Sequence, residues 1–142
     1  MIYALKMERW DEVIKYSQQA IDLGHKYWDS AILYKIVAYR NQNNLHLAAK
    51  EATKLINKVS SNDATHLFAR MHLGQMSPES LIESAQIKSA DKKDKGILAE
   101  ALYHAGEIYL STGKKDRAFE LFENAKIQKK HPTTNIKSVM FG

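Results

Sequence analysis

Histidine is the residue type in this chain best suited to chemistry near neutral pH, and its spacing predicts no reactive site. The chain has six histidines and no cysteine. No two histidines stand four residues apart, the spacing that turns both toward one metal ion on a helix, and the nearest pair, His66 and His72, is six residues apart. The absence of cysteine excludes thiolate ligands, thiol nucleophiles and disulfides. We expect no metal site and no cofactor.

The segment STGKK at 111–115 contains the glycine and lysine of a phosphate-binding loop without the spacing of that motif. Its nearest upstream glycine is Gly106, and Lys115 occupies the position that requires serine or threonine. Acid pairs such as Glu79 and Glu83 fall on the polar sides of amphipathic segments, where carboxylates are solvated. These patterns favour a protein that is not an enzyme.

Composition indicates one ordinary helical domain. The chain has 142 residues, 44% of them apolar and 26% charged, with only 2 prolines and 6 glycines, too few for the many turns of an all-β protein. No apolar run is long enough to span a membrane, and no signal peptide is visible. We therefore expect a cytoplasmic protein, or a cell-envelope location if the sequence is part of a longer chain.

Basic residues exceed acidic ones by 21 − 16 = 5, and part of that excess lies near the C-terminus. Between residues 124 and 137 there are four lysines and no acid: Lys126, Lys129, Lys130 and Lys137. The dipole of a preceding helix explains part of such a cluster. The other interpretation of these four lysines is a surface patch that binds an acidic partner or nucleic acid. Because no arginine or aromatic residue is interleaved, nucleic acid is the less favoured of the two.

A period of 35 residues runs through the chain. Val13 and Ala48 occupy matching places in similar amphipathic runs, and Ala118 follows at twice that interval. The period predicts a further member near residue 83, where SPESLIESAQIKSA lies. A repeat of this length indicates stacked supersecondary units.

Helical periodicity predicts seven segments: 8–24, 28–41, 43–57, 63–75, 77–90, 96–111 and 114–128. Ser77 followed by Pro78 is typical of a helix start. Gly24 and Gly113 are expected where helices end in a left-handed residue. Gly106 is small at a point where a neighbouring helix must approach closely.

The 99–125 segment, AEALYHAGEIYLSTGKKDRAFELFENA, resembles a tetratricopeptide repeat. The residues at the signature spacings of that family are Leu102, Gly106, Tyr109, Gly113, Ala118, Phe122 and Ala125. The resemblance implies an all-α fold: a right-handed solenoid, or α-α superhelix, of antiparallel helical hairpins. About 3.5 repeats fit residues 1–130 in this chain.

The resemblance divides a single domain, 1–142, into a partial repeat at 1–24, repeats at 28–57 and 97–130, a degenerate repeat at 63–90, and a C-terminal capping segment at 131–142. Because the partial repeat lacks most of its first helix, Trp10, Val13 and Ile14 have less cover than their counterparts. A second copy of the chain is one candidate for that cover, which would make the protein a homodimer. A short cap or the end of a longer protein is the other.

Partner-binding residues are expected on the first helix of each hairpin, which we call the leading helix, because leading helices line the concave groove of such solenoids. They are Tyr34, Val37, Asn41, Arg70, Tyr103, His104 and Glu107. Some tetratricopeptide domains clamp a chaperone's C-terminal carboxylate with lysine, asparagine and arginine in this groove. The corresponding places here carry Leu33, Val37, Tyr103 and Glu107, a departure that argues against such a clamp.

The resemblance implies a protein-interaction adaptor or scaffold, similar to bacterial tetratricopeptide adaptors, that binds a polypeptide segment and catalyses nothing. Two alternatives stay open. One is a regulatory module that contacts nucleic acid through the C-terminal lysines. The other is a scaffold that dimerises through its N-terminal half-repeat.

Overall fold

A computed structural model of the chain describes residues 9–90 and 96–130, with Lys130 described by its backbone alone. The described residues are all-helical and contain no strand. Their seven helices are α1 (Trp10–Asp22), α2 (Trp28–Asn41), α3 (Leu45–Lys58), α4 (Ala64–His72), α5 (Pro78–Ala90), α6 (Ile97–Ser111) and α7 (Lys115–Lys130). Each predicted helical segment thus corresponds to one helix, and α3 and α7 extend beyond the predicted ends at residues 57 and 128. The predicted capping segment, 131–142, lies outside the described residues.

The chain divides into two compact units between Gln75 and Met76, within the predicted degenerate repeat. In the first unit, α2 packs against α1, α3 and α4, and α3 also packs against α4. In the second unit, α6 packs against both α5 and α7. Each unit is therefore built round a leading helix that contacts its neighbours on several sides.

Three positions of the 35-residue period face the core. Val13, Ala48 and Ala118 are at most 2% exposed, as the matching positions of an amphipathic repeat require. At the fourth position Glu83 is exposed, and the buried residue is its neighbour Ile82. The period in burial is therefore shifted by one residue in the predicted degenerate repeat.

Four helices end in the same turn. Gly24, Asn43, Gly74 and Gly113 each have a positive φ, between 59° and 84°. In each turn the next residue's N–H donates to a carbonyl five residues before it, as in Lys114 N to Tyr109 O at 2.9 Å. This closure satisfies carbonyls at the helix end. The helix ends predicted at Gly24 and Gly113 are confirmed.

Helix α5 begins as the sequence predicts. The Ser80 N–H donates to Ser77 Oγ at 3.1 Å, and Pro78 is the first helical residue. The serine oxygen satisfies one of the free N–H groups at the helix start, and proline at that position loses no hydrogen bond. This start is confirmed.

A buried charge joins the first three helices. Lys35 on α2 is 6% exposed, and its Nζ donates to Gln18 Oε1 on α1 at 2.6 Å and to Glu51 Oε1 on α3 at 3.2 Å. The Lys35 ammonium also lies 6.0 Å from the centre of the Tyr39 ring. Burial, and secondly the Glu51 carboxylate, raises the pKa of Tyr39. Lys54 is 3.5 Å from the same Glu51 oxygen but is half exposed.

In the second unit, α6 and α7 meet at Gly106. A Cβ atom added to Gly106 would lie 2.5 Å from Cε1 and 2.8 Å from Cδ1 of Phe122. The Phe122 ring also contacts Tyr103 and Phe119, with ring centres 5.8 and 6.4 Å away. The close helix approach predicted from Gly106 is confirmed.

We predict that removing one member of the buried pair destabilises the fold more than removing both. Glu51→Met leaves the Lys35 ammonium buried beside neutral acceptors, and we expect a loss of about 3 kcal/mol in the free energy of unfolding. Lys35→Met should cost less, since Glu51 retains Lys54. The double variant should cost about 1 kcal/mol, since two apolar side chains replace the pair. Urea unfolding followed by circular dichroism measures all three.

The exposed pair Glu123 and Lys126, 3.1 Å apart, is the matched control. Its methionine variants should change the free energy of unfolding by less than about 1 kcal/mol. If the loss in free energy of unfolding of the Lys35→Met/Glu51→Met double variant equals the sum of the two single losses, the interaction between the two side chains is contradicted.

Gly106→Ala should destabilise the protein although alanine is the better helix former. The new methyl group meets the Phe122 ring, and overpacking of this kind costs about 1–3 kcal/mol, against a gain of about 1 kcal/mol in helix propensity. Phe122→Leu removes the atoms that clash, so Gly106→Ala should cost less in that background. Thermal unfolding of the unaltered protein, the two single variants and the double variant tests this coupling. If Gly106→Ala destabilises the protein equally with Phe122 and with Leu at position 122, the clash is excluded as the cause.

Candidate functional site: the leading helices

Two leading helices of the first unit, α2 and α4, lie side by side and run parallel. Near the helix starts, Thr65 Oγ1 on α4 donates to Asp29 Oδ2 on α2 at 3.3 Å. Near the helix ends, Arg40 Nη1 on α2 donates to the His72 carbonyl on α4 at 3.4 Å. The N-terminal parts of the two helices contact each other, and so do their C-terminal parts. The two helices therefore run in the same direction.

These two contacts join residues 36 and 32 positions apart, close to the 35-residue period. At an offset of 36, Arg70 on α4 is the counterpart of Tyr34 on α2. Both side chains are partly exposed. Tyr34 and Arg70 are therefore two partly exposed side chains on adjacent parallel helices.

His66 lies one helical turn before Arg70, on the same side of α4. Its Nδ1 atom is buried and makes no hydrogen bond with the described residues. A buried polar atom without a hydrogen bond is uncommon in a folded protein. The His66 side chain as a whole is partly exposed, so it adds a polar ring to the side of α4 that carries Arg70.

The predicted groove residues of the first unit differ in accessibility. Tyr34, Asn41 and Arg70 are partly exposed, and the Asn41 side-chain amide donates to the Val37 carbonyl at 2.9 Å. Val37 itself is fully buried. Its placement in the groove is corrected, because α2 is packed against three helices and Val37 belongs to the resulting core.

The second unit requires two similar corrections. Tyr103 is partly exposed and packs against His104 and Phe122. His104 and Glu107, however, are only 5% and 6% exposed. Residues round most of the α6 circumference are buried, so these two side chains lie in the interior and do not line an open groove.

The predicted self-association residues are only in part at the surface. Trp10 and Ile14 are partly exposed, whereas Val13 is fully buried. Val13 is therefore covered within the chain and is removed from the set that a second copy could contact. The partly exposed pair, Trp10 and Ile14, is one helical turn apart on α1.

The lysine cluster is described at two of its four positions. Lys126 and Lys129 are exposed, and the Lys126 Nζ is 3.1 Å from Glu123 Oε1. The side chain of Lys130 and the whole of Lys137 lie outside the described part of the chain. One of the two described lysines thus already has a carboxylate partner.

Sequence reasoning missed the polar contacts that arrange the leading helices. Neither the buried Lys35–Glu51 pair nor the Asp29–Thr65 and Arg40–His72 contacts was expected. A faint signal existed for the first, because a lysine at 35 interrupts an otherwise apolar side of α2. The other contacts join residues more than 30 positions apart and have no local signal.

Within residues 9–90 and 96–130, no group of three or more histidine, aspartate or glutamate residues is arranged to hold a metal ion. No helix in that part of the chain is long and apolar enough to cross a membrane.

Comparison with known proteins gives no match: no family model fits the sequence, and no curated protein or solved structure is significantly similar to it.

Burial of His104 should make stability depend on pH. Burial lowers the pKa of His104 from 6.5 to about 4. Between these values the unfolded chain binds a proton that the folded chain excludes, so stability falls as the pH decreases. The fall should approach 1.4 kcal/mol per pH unit and total about 3 kcal/mol. Urea unfolding at a series of pH values between 7.5 and 4 measures it.

His104→Gln should flatten this dependence, because glutamine does not titrate. The exposed His46 provides the control, since His46→Gln should leave the slope unchanged. An unaltered slope in the His104 variant would contradict the assignment.

Proposed function

We propose that the chain is an array of tetratricopeptide-like hairpins that binds a segment of another protein and catalyses no reaction. The observation that carries the proposal is the parallel packing of α2 and α4, with contacts at offsets close to the period of the repeat. Repeated leading helices in this arrangement form a continuous face across successive hairpins.

The side chains on that face have suitable chemistry for a protein partner. Tyr34 offers a large amphipathic area with few rotatable bonds, and Arg70 offers several donors to carboxylates or backbone carbonyls. Tyrosine and arginine are enriched among the residues that dominate binding energy in interfaces. His66 and Asn41 add polar groups on the same pair of helices.

The face is also held in place before any partner arrives. Contacts at both ends of α2 and α4 restrain their relative rotation, and the buried Lys35 fixes α2 against α1 and α3. A rigid face loses little conformational entropy on binding, which favours recognition of an extended or helical peptide.

The proposal predicts a peptide ligand that depends on α2 and α4. A display library of random peptides about 12 residues long, selected on the immobilised chain, should enrich binders. Their affinities can then be measured by fluorescence anisotropy. Tyr34→Ala combined with Arg70→Ala should weaken binding by at least about tenfold, as expected for central interface residues, while helicity stays unchanged.

Lys15→Ala combined with Tyr16→Ala is the control, because Tyr16 is 53% exposed on α1 and Lys15 lies beside it. The control should bind as the unaltered chain does. Failure to select any peptide, or an equal loss in the control, would refute the proposal.

A further inference from the structure

The outward side of α3 carries a row of basic residues. The helix turns Ala48, Glu51, Ala52 and Leu55 into the core. On its exposed side a basic residue recurs at every fourth position: His46, Lys50, Lys54 and Lys58. We call these four residues the basic ridge. All four are exposed.

The spacing of the basic ridge is set by the helix. Residues four apart are about 6 Å apart along the axis, so the ridge is about 18 Å long. The one acid on α3, Glu51, is 7% exposed and bonded to Lys35. Lys54 is also 3.5 Å from Glu51, but half of the Lys54 side chain remains exposed. No exposed carboxylate of α3 therefore neutralises the ridge.

We propose that the basic ridge binds the phosphate backbone of double-stranded nucleic acid. Three lysines about 6 Å apart along one helix, in a chain of net charge +5 and pI near 9.3, are the electrostatic pattern that such backbones select. Lysines contact phosphates as point charges, so binding is independent of base sequence.

The residues beside the ridge favour this partner over others. Its exposed polar neighbours are Thr53 and Asn57, and α3 carries no phenylalanine, tyrosine or tryptophan. The one large apolar side chain that α3 exposes is Leu45, at its first position. A peptide helix or a membrane surface would require a series of apolar anchors along the ridge, and single strands would require aromatic rings for base stacking. Phosphates require only cations and polar groups.

The proposal gives a quantitative salt dependence. Three lysines that neutralise three phosphates predict a slope of about −2.7 for the logarithm of the association constant against the logarithm of salt concentration. Affinity should then fall about 40-fold between 50 and 200 mM salt.

The test uses anisotropy of a fluorescein-labelled DNA duplex of about 20 base pairs in about 50 mM NaCl. Lys50→Gln, Lys54→Gln and Lys58→Gln together should weaken binding at least about tenfold. The matched control is Lys115→Gln, Lys126→Gln and Lys129→Gln, three exposed lysines of α7 whose removal changes the net charge equally. The control should lose less than about threefold, and circular dichroism verifies that both variants stay helical.

Three results would overturn the proposal. One is the absence of duplex binding by the unaltered chain at low salt. The second is an equal loss in both triple variants, which would assign binding to net charge or to the α7 lysines. The third is displacement of the duplex by a glutamate oligomer of equal charge at equal concentration, which would point to an acidic protein.

Discussion

The arrangement of the first unit depends on one buried ammonium group. Lys35 has almost no contact with solvent, so its charge must be met by acceptors within the protein, and these come from Gln18 on α1 and Glu51 on α3. A shift of α1 or α3 by one residue would remove one of these acceptors and leave the buried ammonium group with an incomplete set of hydrogen bonds. These polar contacts add to the apolar packing in specifying the position of α2 between its neighbours, and α4 is bonded to α2 and packs against α3.

The second unit reaches a fixed helix register by a different physical route. There the constraint is steric, because Gly106 allows the Phe122 ring to lie where any larger residue would place a methyl group. The ring is held from its other sides by Tyr103 and Phe119. Close packing of this kind also discriminates register, since a neighbouring position on α6 would present a side chain to the ring. Helices of the same repeat are thus held by a buried ion pair in the first unit and by a close steric fit in the second.

Local features were predictable from the sequence, whereas features set by neighbouring helices were not. The start of α5 at Ser77 and the end of α6 at Gly113 depend on a few adjacent residues, and both were predicted. The period likewise identified core positions on α1, α3 and α7, which are trailing helices, whereas on α5 it falls on the exposed Glu83. Leading helices are packed on several sides, so a position away from the main apolar stripe is not necessarily exposed. This is why Val37, His104 and Glu107 were placed on the surface although all three are buried, and why the burial of Lys35 was missed.

Glu51 connects the interior of the first unit to the surface of α3. A single carboxylate oxygen lies 3.2 Å from Lys35 Nζ and 3.5 Å from Lys54 Nζ, so the two ammonium groups share its charge. The interior lysine has little solvent as an alternative partner, whereas Lys54 is half exposed and can exchange the carboxylate for an anion in solution. Such an exchange leaves Glu51 entirely to Lys35 and keeps the buried charge satisfied. An anion at the basic ridge would therefore compete with Glu51 for Lys54 and leave the Glu51–Lys35 ion pair in place.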